Sequence, residues 1–119
     1  MTIYKKLDVW SQAIELVKEF RAVSNCLIQE REFELHKQIV RSAISIPSNI
    51  AEGASSGSDP NFIRYLNISL GSISEFQTQL EICIQWEVVF PEVATQLIKQ
   101  SENLAYRIRK LKKYLENQP

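Results

Sequence analysis

The residues best placed to do chemistry lie near the C-terminus. Arg107, Arg109, Lys110, Lys112 and Lys113 crowd into seven residues, with Tyr106 and Tyr114 beside them. Cations at that density can neutralise phosphates, and tyrosine rings can stack on unpaired bases. The same residues also suit a plain solvated helix end, because Lys and Arg complement the negative pole of a helix dipole. Repetition around an assembly would tip the balance, since weak sites gain avidity when multiplied. A nucleic-acid role is therefore conditional on oligomerisation.

Other chemistry has fewer materials. His36 is the single histidine. A di-iron or di-manganese bundle site needs Glu-x-x-His on two helices, and the residue three before His36 is Phe33. Glu32 and His36 are one turn apart, which more often makes a surface contact than a ligand pair. No nucleophile motif surrounds His36. The Gly-Ser stretch at 53–58 lacks the Gly-Lys-Ser/Thr ending of a phosphate-binding loop and reads as a turn. Neither a metal nor a cofactor is expected.

Composition sets the frame. The chain has 119 residues, 45% hydrophobic and 24% charged, an ordinary balance for one globular domain, 1–119. Only three Gly and four Pro are present, too few for many short strands, so the fold class is all-α. Formal net charge is zero and the pI about 6.6, so attraction to nucleic acid or to an anionic membrane would need a local patch. No apolar run approaches the roughly 18–20 residues that span a bilayer. Met1 to Lys6 lack the apolar stretch of a signal peptide. These features predict a cytoplasmic protein, with Cys26 and Cys83 as reduced, buried thiols.

Four periodic segments would position the candidate residues. Residues 7–26 stack Val9, Trp10, Ala13, Leu16, Val17, Phe20 and Val23 on one helical face. Residues 31–54 carry one stripe of Leu35, Ile39, Ala43, Ile46 and Ile50 and a second of Val40, Ile44, Pro47 and Ala51. Pro47 predicts a kink, or a break and restart, with Ser45 and Ser48 near the freed backbone. Gly53 suits a C-cap, and Asp59-Pro60 opens the next helix with Asp at N-cap and Pro at N1. Residues 60–86 form the third helix. Gly71 in its interior costs about 1 kcal/mol relative to Ala, which predicts close approach of another backbone there. From Pro91, Ala94, Leu97, Ser101, Leu104, Ile108, Leu111 and Leu115 follow a heptad seam. Short connections make an antiparallel, up-down-up-down four-helix bundle with its second helix kinked near Pro47.

Ser45-Ile46-Pro47-Ser48-Asn49-Ile50-Ala51-Glu52-Gly53 resembles the signature of a family of small bacterial four-helix-bundle proteins encoded within intervening sequences of 23S ribosomal RNA genes. Leu7-Asp8-Val9-Trp10, Gln38-Ile39-Val40-Arg41 and Gly71-Ser72-Ile73-Ser74-Glu75 extend the resemblance over nearly the whole chain. It departs at Leu27-Ile28, where the family often has Phe-Pro, so the first turn is expected to be less sharply defined. The family is similar to the accessory protein of diversity-generating retroelements, which binds nucleic acid and a reverse transcriptase. The resemblance implies a homopentameric ring; it does not imply a reaction. Within the matched motifs, Asn49, Glu52, Ser72 and Glu75 could act as hydrogen-bond pins between helices, at an oligomer interface, or as paired carboxylates in acid/base work. Glu52 and Glu75 are expected near mid-bundle.

The apolar second flank of residues 31–54, with Ile3 and Tyr4 ahead of the first helix, predicts a cyclic homo-oligomer. The expected function is a non-enzymatic binding module contacting RNA or DNA. A protein–protein scaffold is the alternative, and an enzyme using Glu52 and Glu75 stands third.

Overall fold

The computed structural model describes residues 3–119, with side chains from Tyr4 onward. After a short 3-10 helix at Ile3–Lys6 come α1 (Asp8–Glu19), α2 (Arg21–Gln29), α3 (Phe33–Ala54), α4 (Asp59–Gln85) and α5 (Pro91–Glu116). α1 and α2 are one column. Between them Phe20 keeps helical angles (φ −59°, ψ −19°), donates its N–H to Leu16 and accepts that of Ser24. The first helix expected at 7–26 thus carries an interruption at Phe20 and runs on to Gln29. Each column packs on the next, and α5 returns against α1 to close an antiparallel four-helix bundle measuring 51 × 24 × 19 Å.

The core follows the apolar periodicity. Leu16, Val23 and Leu27 meet Ile39, Ile46 and Ile50 of α3, Leu66, Phe76 and Leu80 of α4, and Leu104 and Ile108 of α5, all fully buried. Each such side chain contributes about 1.5–3 kcal/mol, whereas the exposed Arg107–Asp8 ion pair contributes about 1 kcal/mol or less. Apolar packing therefore decides the architecture. The α5 seam is buried from Ala94 to Ile108 and half-buried at Leu111 and Leu115. The second flank of α3 divides: Pro47 is buried, Val40 and Ala51 are half-buried, and Ile44 is 50% exposed.

Three details depart from the sequence reading. First, α3 runs unbroken through Pro47, so there is no restart. Ser48 Oγ donates to the Ile44 carbonyl at 2.8 Å and Asn49 Nδ2 to that of Ser45 at 2.8 Å. These side chains bond back to carbonyls in the turn around Pro47, a pattern that accompanies bending of a continuous helix, instead of capping a break. Second, Gly53 lies inside α3, not at its cap, and the N-cap of α4 is Ser58, whose Oγ accepts the Asn61 N–H at 3.3 Å. Asp59 and Pro60 follow within the first turn, one position later than expected. Gly57, with φ +88°, makes the turn between them. Third, the close approach is at Gly53 rather than Gly71. A Cβ on Gly53 would sit 2.7 Å from Tyr65 Cβ and 3.0 Å from Phe62 Cδ1, while one on Gly71 would meet nothing within 4 Å.

The turns at the far end are tight. Glu32 N–H donates to Leu27 O and Arg31 N–H to Ile28 O, which is a Schellman closure of α2. Val88 N–H to Cys83 O and Glu87 N–H to Ile84 O close α4 in the same way. Arg31 (φ 61°) and Glu87 (φ 56°) occupy the left-handed position that glycine normally fills. The first turn is therefore sharply defined without Phe-Pro.

Candidate functional site

The nine-residue signature and the Gly71–Glu75 motif face each other across α3 and α4. Ser45 Oγ lies 2.8 Å from Ser72 Oγ, and Asn49 Nδ2 donates to Ser45 Oγ at 2.9 Å. Ser69 Oγ donates to the Ile46 carbonyl at 2.9 Å, and Ser42 Oγ to Gln79 Oε1 at 2.6 Å. Small side chains let the two helices approach, and each buried hydroxyl then finds a partner, as burial requires. Among the described residues no buried side-chain polar atom is left without one. Tyr65 donates its hydroxyl to Glu52 at 3.3 Å, just beyond the Gly53 contact.

Glu52 and Glu75 do not form a pair. Both are exposed. Glu52 is level with Tyr65, while Glu75 lies ten residues further along α4, about 15 Å at 1.5 Å per residue. The acid/base reading of these two carboxylates has no shared site. Ser45 and Ser72 form the hydrogen-bond pin between α3 and α4, Asn49 bonds Ser45 from within α3, and Pro47 is buried beside them.

The basic cluster is spread around α5 rather than gathered on one face. Arg107 Nη1 donates to Asp8 Oδ2 at 2.8 Å, which commits it to α1. Arg109 lies on the opposite flank with Ser74 and Gln77 of α4. Lys112 is half-buried. Lys110 stands over the Tyr106 ring at 5.5 Å, and Lys113 is exposed one turn from Lys110. The outward face is thus Tyr106, Lys110 and Lys113. Lys5 and Lys6 add charge at the same end.

Charge is separated along the long axis although it sums to zero. Residues 3–8, 52–64 and 107–116 share one end and carry eight cations against four carboxylates. Residues 28–37 and 81–92 share the other and carry six carboxylates against two cations. No sequence window shows this, because it appears only when the antiparallel columns are laid side by side.

His36 has a partner that the sequence hides. Its Nε2 lies 2.6 Å from Ser24 Oγ, and its ring stacks on Phe20 at 6.3 Å. The pair ties α2 to α3. A triad would add a group orienting the other ring nitrogen, and this imidazole makes one side-chain hydrogen bond among the described residues. Cys26 and Cys83 are both free, half-buried and buried respectively. Burial, with the Glu32 charge adding to it, pushes the Cys83 thiol up to about 11. Such a thiol is inert at neutral pH. Among the described residues no group of three His, Cys, Asp or Glu side chains is arranged to hold a metal ion. No helix among them is long and apolar enough to cross a membrane.

The profile of the 23S rRNA-intervening sequence proteins matches residues 5–110. The chain belongs to that family. A crystal structure of a protein of unknown function from the S23 ribosomal protein family of Bacteroides thetaiotaomicron is similar, at 28% identity and a TM-score of 0.82. The match covers 88% of this chain and 98% of that one. No curated protein matches. In this member of the 23S rRNA-intervening sequence proteins, Ser45, Ile46 and Gly53 of the signature meet Ser72, Ser69, Phe62 and Tyr65 of α4. The exposed Glu52, Glu75, Lys110 and Lys113 take no part in these contacts.

Proposed function

We propose that the protein is a non-enzymatic, self-assembling binding module that contacts RNA or DNA through its basic end. The observation that carries this reading is the gathering of eight cations at one end of a chain with no net charge. Lys110, Lys113 and Tyr106 form the outward part of that end, where phosphate contact and base stacking are available together. The unpaired thiols fit a reducing, cytoplasmic setting.

Self-assembly rests on a separate surface. Tyr4, Trp10, Ile14 and Val17 line a shallow groove with Ile44, Pro47 and Ala51 of α3. Tyr4 packs edge-on to Trp10 at 5.3 Å, so the part of the N-terminal contact that falls on Tyr4 contributes to this groove. The side chain of Ile3 lies outside the described residues. Ile14 and Ile44 are 41% and 50% exposed, and a second copy covering them would repeat the basic end around a ring, a pentamer by resemblance. The alternative is a scaffold that binds another protein, a reverse transcriptase by resemblance, through this same apolar flank.

The test is binding of a labelled structured RNA and a labelled DNA duplex at low and near-physiological salt, with mass by light scattering on the same samples. Affinity should fall steeply with salt, and Lys110→Gln/Lys113→Gln should flatten the slope by about two. Absence of binding at low salt refutes the nucleic-acid reading. A monomeric mass at micromolar concentration refutes self-assembly.

A further inference from the structure

The end opposite the basic one carries four of the nine large hydrophobic side chains left exposed among the described residues. Two turns close that end, residues 30–32 and 86–90. Around them Phe90 is 66% exposed, Trp86 59%, Phe33 54% and Ile28 47%. The Glu30 and Phe90 sides of the two turns meet in one shallow groove with Cys26 and Val88 at its floor. Phe33, nine residues before Ser42, begins α3 about level with Val88, nine residues beyond Gln79 and just past the end of α4. Three aromatics more than half exposed present roughly 300 Å² of apolar surface. Exposed apolar surface of that extent at one end of a chain is often functional.

Charge selects the occupant. Glu30, Glu32, Glu34, Glu87 and Glu92 surround the patch, and only Arg31 and Lys37 oppose them. Two copies docked tip to tip would press like-charged rims together, which is costly. Nucleic acid is excluded by the same sign. The chain's own Arg31 already holds its guanidinium 5.9 Å from the Phe33 ring centre, so a cation over these aromatics is an arrangement the surface accommodates. We propose that this acid-rimmed aromatic tip docks a basic amphipathic helix of a partner protein, with apolar side chains on Phe33, Trp86 and Phe90 and Lys or Arg on the glutamates. The module then carries two binding ends of opposite charge, and this end does not depend on the nucleic-acid reading of the other.

The experiment uses the full chain with Trp10→Phe, which leaves Trp86 as the only tryptophan. Two synthetic helix-forming peptides are titrated, one of leucine and lysine at three- and four-residue spacing and one of leucine and glutamate in the same pattern. The lysine peptide should shift Trp86 emission to the blue saturably, and the glutamate peptide should not. Phe33→Ser/Phe90→Ser alters only exposed side chains and should weaken the lysine peptide about tenfold or more. Glu30→Gln/Glu87→Gln should weaken it and flatten its salt dependence. The proposal is overturned if both peptides bind alike, or if the serine variant keeps its affinity. A blue shift that rises with protein concentration alone also overturns it, since a second copy would then cover the tip.

Discussion

Gly53 and Gly71 should respond in opposite directions to the same substitution. Both lie inside helices, so Ala at either recovers about 1 kcal/mol of helix propensity. Gly71 is exposed with no atom within 4 Å of a new Cβ, so Gly71→Ala should stabilise by most of that amount. At Gly53 the new Cβ would stand 2.7 Å from Tyr65 Cβ and 3.3 Å from the Phe62 carbonyl oxygen. Neither is the free end of a side chain, so α3 and α4 must separate locally. Overpacking of this kind costs about 1–3 kcal/mol. Less the propensity gain, Gly53→Ala should destabilise by up to about 2 kcal/mol, and Gly53→Val by more. The assay is urea unfolding followed by circular dichroism at one fixed protein concentration, because assembly makes stability concentration-dependent. The two variants should differ by about 1–3 kcal/mol in total. If Gly53→Ala matches or exceeds Gly71→Ala in stability, the close approach of α3 and α4 at Gly53 is wrong.

The α3–α4 hydroxyl pairs give a second test: Ser42→Ala strands Gln79 Oε1 and should cost about 1 kcal/mol by urea unfolding, while Ser42→Ala/Gln79→Leu should recover part of it. Glu87→Gly relieves a left-handed non-glycine residue and should raise stability by about 1 kcal/mol in the same assay; Arg31→Gly should gain less, since it loses the contact with Phe33. Cys83 makes stability fall in alkali. Its folded value of about 11 exceeds the ordinary 9.0, so the contribution is fully present below about pH 9 and is lost between about pH 9 and 11 as the unfolded chain alone releases its proton. That contribution is on the order of 2 kcal/mol, and Cys83→Ala should show a shallower decline over this range. With a thiol-specific reagent at neutral pH, Cys26 should react first and Cys83 only on unfolding.

The bundle itself was legible because apolar spacing recurs over four long segments and decides burial. The α5 seam and the α3 stripe fall where periodicity puts them. Boundaries and contacts between columns were less so. Nothing in Val17-Lys18-Glu19-Phe20 breaks a helix by propensity, and the interruption at Phe20 accompanies a ring packed against Phe76 and His36 at once. Gly71 is an interior glycine, yet whether a missing Cβ matters depends on what the neighbouring helix presents, and Tyr65 and Phe62 crowd Gly53 instead. The basic run of α5 looked like one patch in a linear window. Helical geometry divides it, turning Arg107 to Asp8 and Arg109 towards α4. Ser24 with His36, and the charge separation between the two ends, needed the pairing of columns before either could be seen.

The hydroxyl bonds between α3 and α4 bear on which bundle the chain makes. Leucine and isoleucine faces tolerate sliding, and a slip of one helical turn moves a neighbour by about 5.4 Å while keeping apolar against apolar. Here such a slip would part Ser42 from Gln79, Ser45 from Ser72 and Ser69 from the Ile46 carbonyl together. Each stranded buried group costs about 1–3 kcal/mol, so the shifted alignment lies several kcal/mol above the native one even with its hydrophobic area intact. Two long helices that could have met in several alignments are thereby held to one, before α5 closes over them.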